Sequence, residues 1–199
     1  MKITMDNNTV GLIVRGKQSA DHEPGVMEQH ADCILSTGEP VGYFGGGGAA
    51  SSGSTSGSWG SVGLNLKGYV SRYERMKQER PFYVNLRDAK QLKVMSTVLL
   101  IKTDKDKAAL FDKFWINLEA DPGAFYLLGK NCSSRASKAF VAANIVSEGI
   151  PGLDTPDNLY RQLTRRLEKH VTSYSGYIGF YKSRMSGRFE LEIEPVKTK

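Results

Sequence analysis

Cys132 follows Asn131 at the head of an amphipathic stretch, and three histidines, His22, His30 and His170, supply all the imidazole in the chain. A thiol and an imidazole are the parts of acyl transfer. The thiolate attacks a carbonyl, and the imidazole takes up a proton and returns it to the leaving group. Behind Asn131, a residue type that caps helices, Cys132, Ala136, Ala139, Phe140 and Ala143 recur at the spacing of one helix face. That spacing predicts Cys132 in the first turn. There the helix macrodipole favours a thiolate, and unpaired backbone N–H groups can receive an oxyanion. The competing reading is a small buried thiol used only for packing.

The histidines separate by context. His170 ends a basic helical stretch, where an imidazole caps the dipole, and His22 lies in a polar loop beside Asp21 and Glu23. His30 falls on a predicted strand and is the candidate base. A zinc site from His30 and Cys33 is set aside, because strand residues three apart face opposite sides. Two cysteines with no C-x-x-C pair argue against a disulfide framework and a structural zinc site, so neither metal nor cofactor is expected.

The elements that must position these residues can be read in order. Residues 9–17, 26–36 and 41–46 predict strands, the last two joined as a hairpin by "TGEP". On the second of them His30, Asp32 and Ile34 share one face, and Ala31, Cys33 and Leu35 the other. Residues 45–63 are nearly pure Gly, Ser and Ala around Trp59, too poor in apolar groups to offset their ordering entropy. Such a long loop inside a domain is a candidate lid or binding loop. "PFYVNL" (81–86) and residues 92–103 read as strands. Thr103 or Asp104 then caps a helix whose Phe111, Phe114, Trp115 and Leu118 belong to the core. The Cys132 helix is expected to run to about Gly149. Thr155 caps the next helix, with Pro156 at its first position and Leu159, Tyr160, Leu163 and Leu167 as its stripe. Residues 176–183 and 188–195 close the chain as a hairpin.

Composition narrows the function. At 199 residues, 40% hydrophobic and 24% charged, the chain reads as a single domain, residues 1–199. The domain carries a flexible loop at 45–63 and a C-terminal hairpin extension at about 175–195. The net charge of +6 is scattered, without the basic stripe or motif that nucleic-acid binding calls for. No apolar run is long enough to span a bilayer, and residues 1–17 show no apolar core of a signal peptide.

The order of these parts resembles a family, the circularly permuted NlpC/P60 superfamily of papain-like cysteine hydrolases. "HADCILSTGEPVGYFGG" is similar to its His-bearing strand and the Gly-Phe-Tyr segment that follows. "YLLGKNCSSRASKAFVAANI" is similar to its nucleophile block, and "DTPDNLYRQL" to the helix that often comes next. The likeness covers roughly residues 9–168 and leaves the C-terminal hairpin outside. Two departures stand out: Gln29 where a glycine commonly precedes the histidine, and Gly42-Tyr43-Phe44-Gly45 in place of Gly-Phe-Tyr-Pro.

The resemblance implies an α+β fold, an antiparallel sheet packed against the helix that bears the nucleophile. It implies a Cys132–His30 dyad with Asn131 in support, and a third polar group on the strand paired with the His strand. Tyr43, Ser51 and Ser52 are the candidates for that group, with a backbone carbonyl or a water as alternatives. It further implies an amidase or endopeptidase acting on the peptide stems of bacterial peptidoglycan. Several small, leaderless members are antibacterial effectors of type VI secretion, which adds as expectations a secretion-apparatus component, a cognate immunity protein and action in the periplasm of a target bacterium. Permuted relatives also include lipid acyltransferases and thioesterases with the same dyad. A non-catalytic binding protein with an inert Cys132 is the remaining reading.

Overall fold

A computed structural model of the chain describes residues 1–25, 29–46, 66–126, 131–147 and 155–196. The strands in chain order are β1 (Lys2–Thr4), β2 (Thr9–Arg15), β3 (His30–Ile34), β4 (Pro40–Gly46), β5 (Leu66–Arg72), β6 (Ser96–Lys102), β7 (Ala124–Phe125), β8 (Val171–Lys182) and β9 (Phe189–Glu194). They form one sheet in the order β1-β9-β8-β6-β2-β3-β4-β5-β7, with antiparallel pairing throughout. The central strands are covered on both faces. Their sequences therefore run apolar without a break, as in Leu12-Ile13-Val14 and Val98-Leu99-Leu100, all buried.

Three helices cover one face: α3 (Lys105–Ala120), α4 (Cys132–Ala142) and α5 (Pro156–Leu167), numbered after the shorter α1 (Tyr73–Glu79) and α2 (Leu86–Gln91). Phe111 and Trp115 of α3, Ala136 and Phe140 of α4, and Leu159 and Leu163 of α5 pack with Leu12, Val14, Ala31, Cys33 and Leu99 in one core. Each large apolar side chain fully buried in this way contributes roughly 1.5–3 kcal/mol. The helix stripes predicted from spacing are the ones buried, with Phe114 and Leu167 at the margin.

The second face is covered largely by the sheet's own end. Ile13, Ile34, Phe44 and Val98 meet Met76 of α1, Val84, and Ile178, Phe180, Leu191 and Ile193 of β8 and β9. The fold-back is made at Gly176. Up to that residue β8 pairs with β6, and from Tyr177 onward it pairs with β9. Gly176 has φ of 150°, and a Cβ there would run into the Glu194 carbonyl. The C-terminal hairpin thus belongs to the sheet and closes its second core.

Three local expectations need correction. "PFYVNL" is not a strand. Pro81–Tyr83 form a 3₁₀ turn, and the Asn85 side chain caps α2 by accepting from the N–H groups of Arg87 and Asp88. The helix of Cys132 stops at Ala142 rather than near Gly149, with Asn144 in the left-handed region (φ 54°) turning the chain away. β3 begins at His30, shorter than the run expected over 26–36, of which residues 26–28 lie outside the described ones. Gly45 and Gly46 belong to β4, while the rest of the glycine-rich loop, Trp59 included, lies outside the described residues. Among the described residues no helix is long and apolar enough to cross a membrane.

Candidate active site

The first turn of α4 is built by Asn131. Its side-chain oxygen accepts from the Ser134 N–H at 3.0 Å and from the Ser133 hydroxyl at 2.9 Å, and the Ser134 hydroxyl in return accepts from the Asn131 N–H. This reciprocal cap satisfies the third N–H of the helix. The N–H groups of Cys132 and Ser133, at the first two positions, have no acceptor within the helix. Cys132 heads the buried stripe and keeps 8% of its surface exposed. Asn131 thereby shapes the turn that carries the thiol.

Sheet and helix meet at the start of β3. The β3–β4 ladder ends with the Asp32–Gly42 pair, one residue short of Ala31. Ala31 donates its N–H to Cys132 Sγ at 3.5 Å. His30 is the first residue of β3, so its ring can reach a thiol that approaches from the other side of the pleat. Imidazole and thiol are near enough for the charge of each to shift the other's pKa. The ring keeps 17% of its surface and stacks on Phe44, with centroids 4.4 Å apart.

His30 Nε2 is engaged by Asp32 Oδ1 at 2.9 Å, so the carboxylate takes one ring nitrogen and not the other. Asp32 is fully buried, and its second oxygen accepts from Arg15 Nε at 2.8 Å. Gly42 stands opposite Asp32, and a Cβ there would overlap the carboxylate. The strand that faces Asp32 is therefore bare where the carboxylate lies.

Burial and charge compete at each group. Burial pushes the His30 imidazole down, but the Cys132 sulfur and the Asp32 carboxylate outweigh it and hold it well above its ordinary 6.5. Burial pushes the Cys132 thiol up, and the His30 charge and hydrogen bond, with the Ala31 N–H, bring it below its ordinary 9.0. Asp32 is raised by burial and carried below 3.8 by His30 and Arg15. Cys33 goes the other way. Burial, with the charges of Asp32 and Cys132, drives it well above 9.0. Of the two thiols only Cys132 has surroundings that favour a thiolate.

Of the other sequence candidates, Tyr43 is described and is turned away from His30. Tyr43 is fully buried on the helix side of β4, its hydroxyl turned to the Pro122 and Ala124 carbonyls at 3.0 and 2.9 Å. It ties β4 to the start of β7 and the residues just before it, and does not orient His30. Ser51 and Ser52 lie outside the described residues. The carboxylate on His30 comes instead from its own strand. The period-2 alternation already puts Asp32 on the face of His30, but the family pattern directs attention to the neighbouring strand. Arg15 carries a weaker signal, a lone charge at the end of an otherwise apolar strand. His22 and His170 stand elsewhere, the first accepting from the Gln18 N–H and the second exposed after α5.

Gln29, the departure just before His30, has a structural use. Its side-chain oxygen accepts from the Asp157 N–H at 2.8 Å in the first turn of α5. Asp157 also pairs with the buried Lys17 Nζ at 2.6 Å. These contacts moor the approach to β3 against a helix. Among the described residues no group of three or more His, Cys, Asp or Glu side chains is placed to hold a metal ion. Comparison of the chain with protein-family models, with curated proteins and with solved structures finds no match.

Proposed function

We propose that this chain is a cysteine hydrolase of the papain-like, permuted NlpC/P60 kind, with Cys132 as nucleophile, His30 as acid and base, and Asp32 as the group that orients His30. The observation that carries this reading is a single imidazole held at Nε2 by Asp32 at 2.9 Å, on the strand whose next residue, Ala31, gives its N–H to the Cys132 sulfur at 3.5 Å. The directions in which the two groups are displaced favour a thiolate–imidazolium pair, the resting state that such chemistry needs.

In the first half-reaction the Cys132 thiolate attacks the amide carbon, forming a C–S bond and moving the carbonyl electron pair onto oxygen. The N–H groups at the start of α4, which have no acceptor within the helix, receive that oxyanion. The imidazolium gives its proton to the amide nitrogen, the C–N bond breaks and the amine leaves a thioester behind. His30 then takes a proton from water, the hydroxide attacks the thioester, and the C–S bond breaks to release the acid and restore the thiolate.

The substrate we assign is the peptide stem of bacterial peptidoglycan, and the role that of an antibacterial effector acting in the periplasm of a target cell and held in check by an immunity protein. Support comes from the likeness of the His and Cys blocks and from a net charge of +6, which draws the protein to an anionic wall. Digestion of purified muropeptides, followed by mass spectrometry, tests the assignment. Cleavage is expected from the wild type and lost in both Cys132→Ala and His30→Ala, with the melting temperature kept. Cleavage retained by Cys132→Ala overturns the mechanism. Acyl release from phospholipid vesicles, with muropeptides untouched, transfers the dyad to lipid chemistry.

A further inference from the structure

We propose that Arg15 is a positioning residue of this site, a clamp that takes one oxygen of Asp32 so that the other stays on His30. The inference rests on reading Cys132, His30 and Asp32 as a catalytic set. Arg15 ends β2 directly opposite His30 in the strand register and is 2% exposed. An arginine usually grips a carboxylate through two parallel hydrogen bonds, which would occupy both oxygens. Here only Nε bonds, to Oδ2, and Oδ1 is left to His30 Nε2.

The rest of the guanidinium is arranged at a penalty that packing alone does not explain. Nη1 and Nη2 are buried with no hydrogen-bond partner among the described residues, and the guanidinium lies over the Tyr83 ring, 4.4 Å from its centroid. Buried donors left unpaired are rare and call for a reason. Undivided charge is such a reason, since a cation shared with no other acceptor acts on Asp32 at full strength in a low-dielectric site. The titratable and charged groups that interact electrostatically with Asp32 are Arg15 from β2, His30 on its own face of β3, Cys33 on the other face, Tyr83 from the 3₁₀ turn and Cys132 from α4. Arg15, Asp32, His30 and Cys132 then alternate plus, minus, plus, minus from the sheet interior to the helix. Arg15 touches no reacting atom. It acts by keeping Asp32 anionic and turned toward the ring.

The test is the pH profile of Cys132 alkylation by iodoacetamide, run on the full chain as wild type, Arg15→Met and Arg15→Lys, each with Asp32 and with Asp32→Asn. Arg15→Met is expected to move the acid limb up by roughly one pH unit. At a fixed pH below the limb, alkylation then slows about tenfold, in step with the smaller thiolate fraction. Arg15→Lys, which keeps the charge but not the fixed edge, is expected to hold the limb near wild type and lower kcat without raising KM. In the Asp32→Asn background Arg15→Met is expected to leave the limb where Asp32→Asn alone puts it. A limb unmoved by Arg15→Met overturns the clamp alone, as does a displacement that persists in full with Asp32→Asn. Should Arg15→Met fail to fold, an Arg15→Lys protein equal to wild type in both limb and kcat overturns it. A wild-type protein whose Cys132 alkylates slowly, with no acid limb, overturns the catalytic reading and the clamp together.

Discussion

His30 and Asp32 lie two residues apart on β3, on the same side of the pleat, and their side chains meet at 2.9 Å. The proposed base and the carboxylate that would orient it are therefore neighbours by the geometry of one strand. Their alignment depends on no loop. What the rest of the fold must supply is a thiol on the far side of the ring and a charge behind the carboxylate.

Asp32→Asn keeps the shape and an oxygen for the imidazole but removes the charge. A fall in kcat of about 10²-fold is expected, with the fold retained, because the imidazolium loses its anionic partner. Asp32→Ala is expected to do more, since Arg15 is left buried with no partner. Breaking a buried pair in this way costs about 3–5 kcal/mol, read as a lower urea midpoint. Full activity in Asp32→Asn removes Asp32 from the mechanism.

The two cysteines are expected to part company in a labelling experiment. Cys132 is favoured as a thiolate and retains some surface, while Cys33 is fully buried and driven well above 9.0. Brief treatment of native protein with iodoacetamide near neutral pH, followed by peptide mass spectrometry, should find the adduct on Cys132 alone. Equal labelling of both would make Cys132 an ordinary thiol.

Activity and alkylation should differ in their dependence on pH. Cys132 is held below 9.0, so its thiolate persists down to that depressed value and disappears as pH falls through it. His30 is held well above 6.5, so its proton is kept at low pH and lost as pH rises through the raised value. Alkylation needs only the thiolate and should show the acid limb alone. The hydrolytic kcat/KM needs both charges and should be bell-shaped between the two. Superimposable profiles would contradict an acid role for His30.

Stability should carry the mark of Asp32. Its folded pKa is below 3.8, so its contribution is complete above that value and is lost as pH falls through the folded one. Urea midpoints of the wild type measured from roughly pH 5 down to pH 2 should fall more steeply than those of Asp32→Asn. Parallel slopes would mean that folding leaves the Asp32 pKa unshifted, against a carboxylate held as an anion by His30 and Arg15.

Gly42→Ala tests position while leaving every charged residue in the sequence. Its Cβ would overlap the Asp32 carboxylate and stand 2.9 Å from the Phe44 ring. Overpacking of this kind costs about 1–3 kcal/mol. Displacement of Asp32 should lower kcat nearly as far as Asp32→Asn does. An active Gly42→Ala protein would show that the carboxylate tolerates another seat.

Much of the nucleophile's setting is legible in the chain, because the information is local. An Asn cap, a cysteine at the first position and a stripe at helical spacing all lie between residues 131 and 143, and all three are realised. The helix starting at Thr155 is legible for the same reason. Asp32 is half legible. Alternation puts it on the face of His30, but nothing local says that Gly42 leaves room for it or that Arg15 lies beside it. Those facts belong to strand register, which is set by partners far away in sequence. "PFYVNL" misleads because its apolar content fits a strand, while Pro81 and the Asn85 cap, both local breakers, decide the outcome. The hairpin of β8 and β9 looks like an appendage because Gly176, which bends β8 back over the sheet, has no distinguishing neighbours in the sequence.

The pairing of Lys2 with Glu192 joins the two ends of the chain, and Arg15, His30 and Asp32 reach Cys132 only through strands gathered from remote parts of it. Contacts so distant in sequence make for slow assembly. No short fragment can hold both Cys132 and His30. While the polypeptide is unfolded Cys132 titrates near the free-cysteine value of about 8.5. If Cys132 is the proposed nucleophile, its activation is therefore expected only once the tertiary structure has formed.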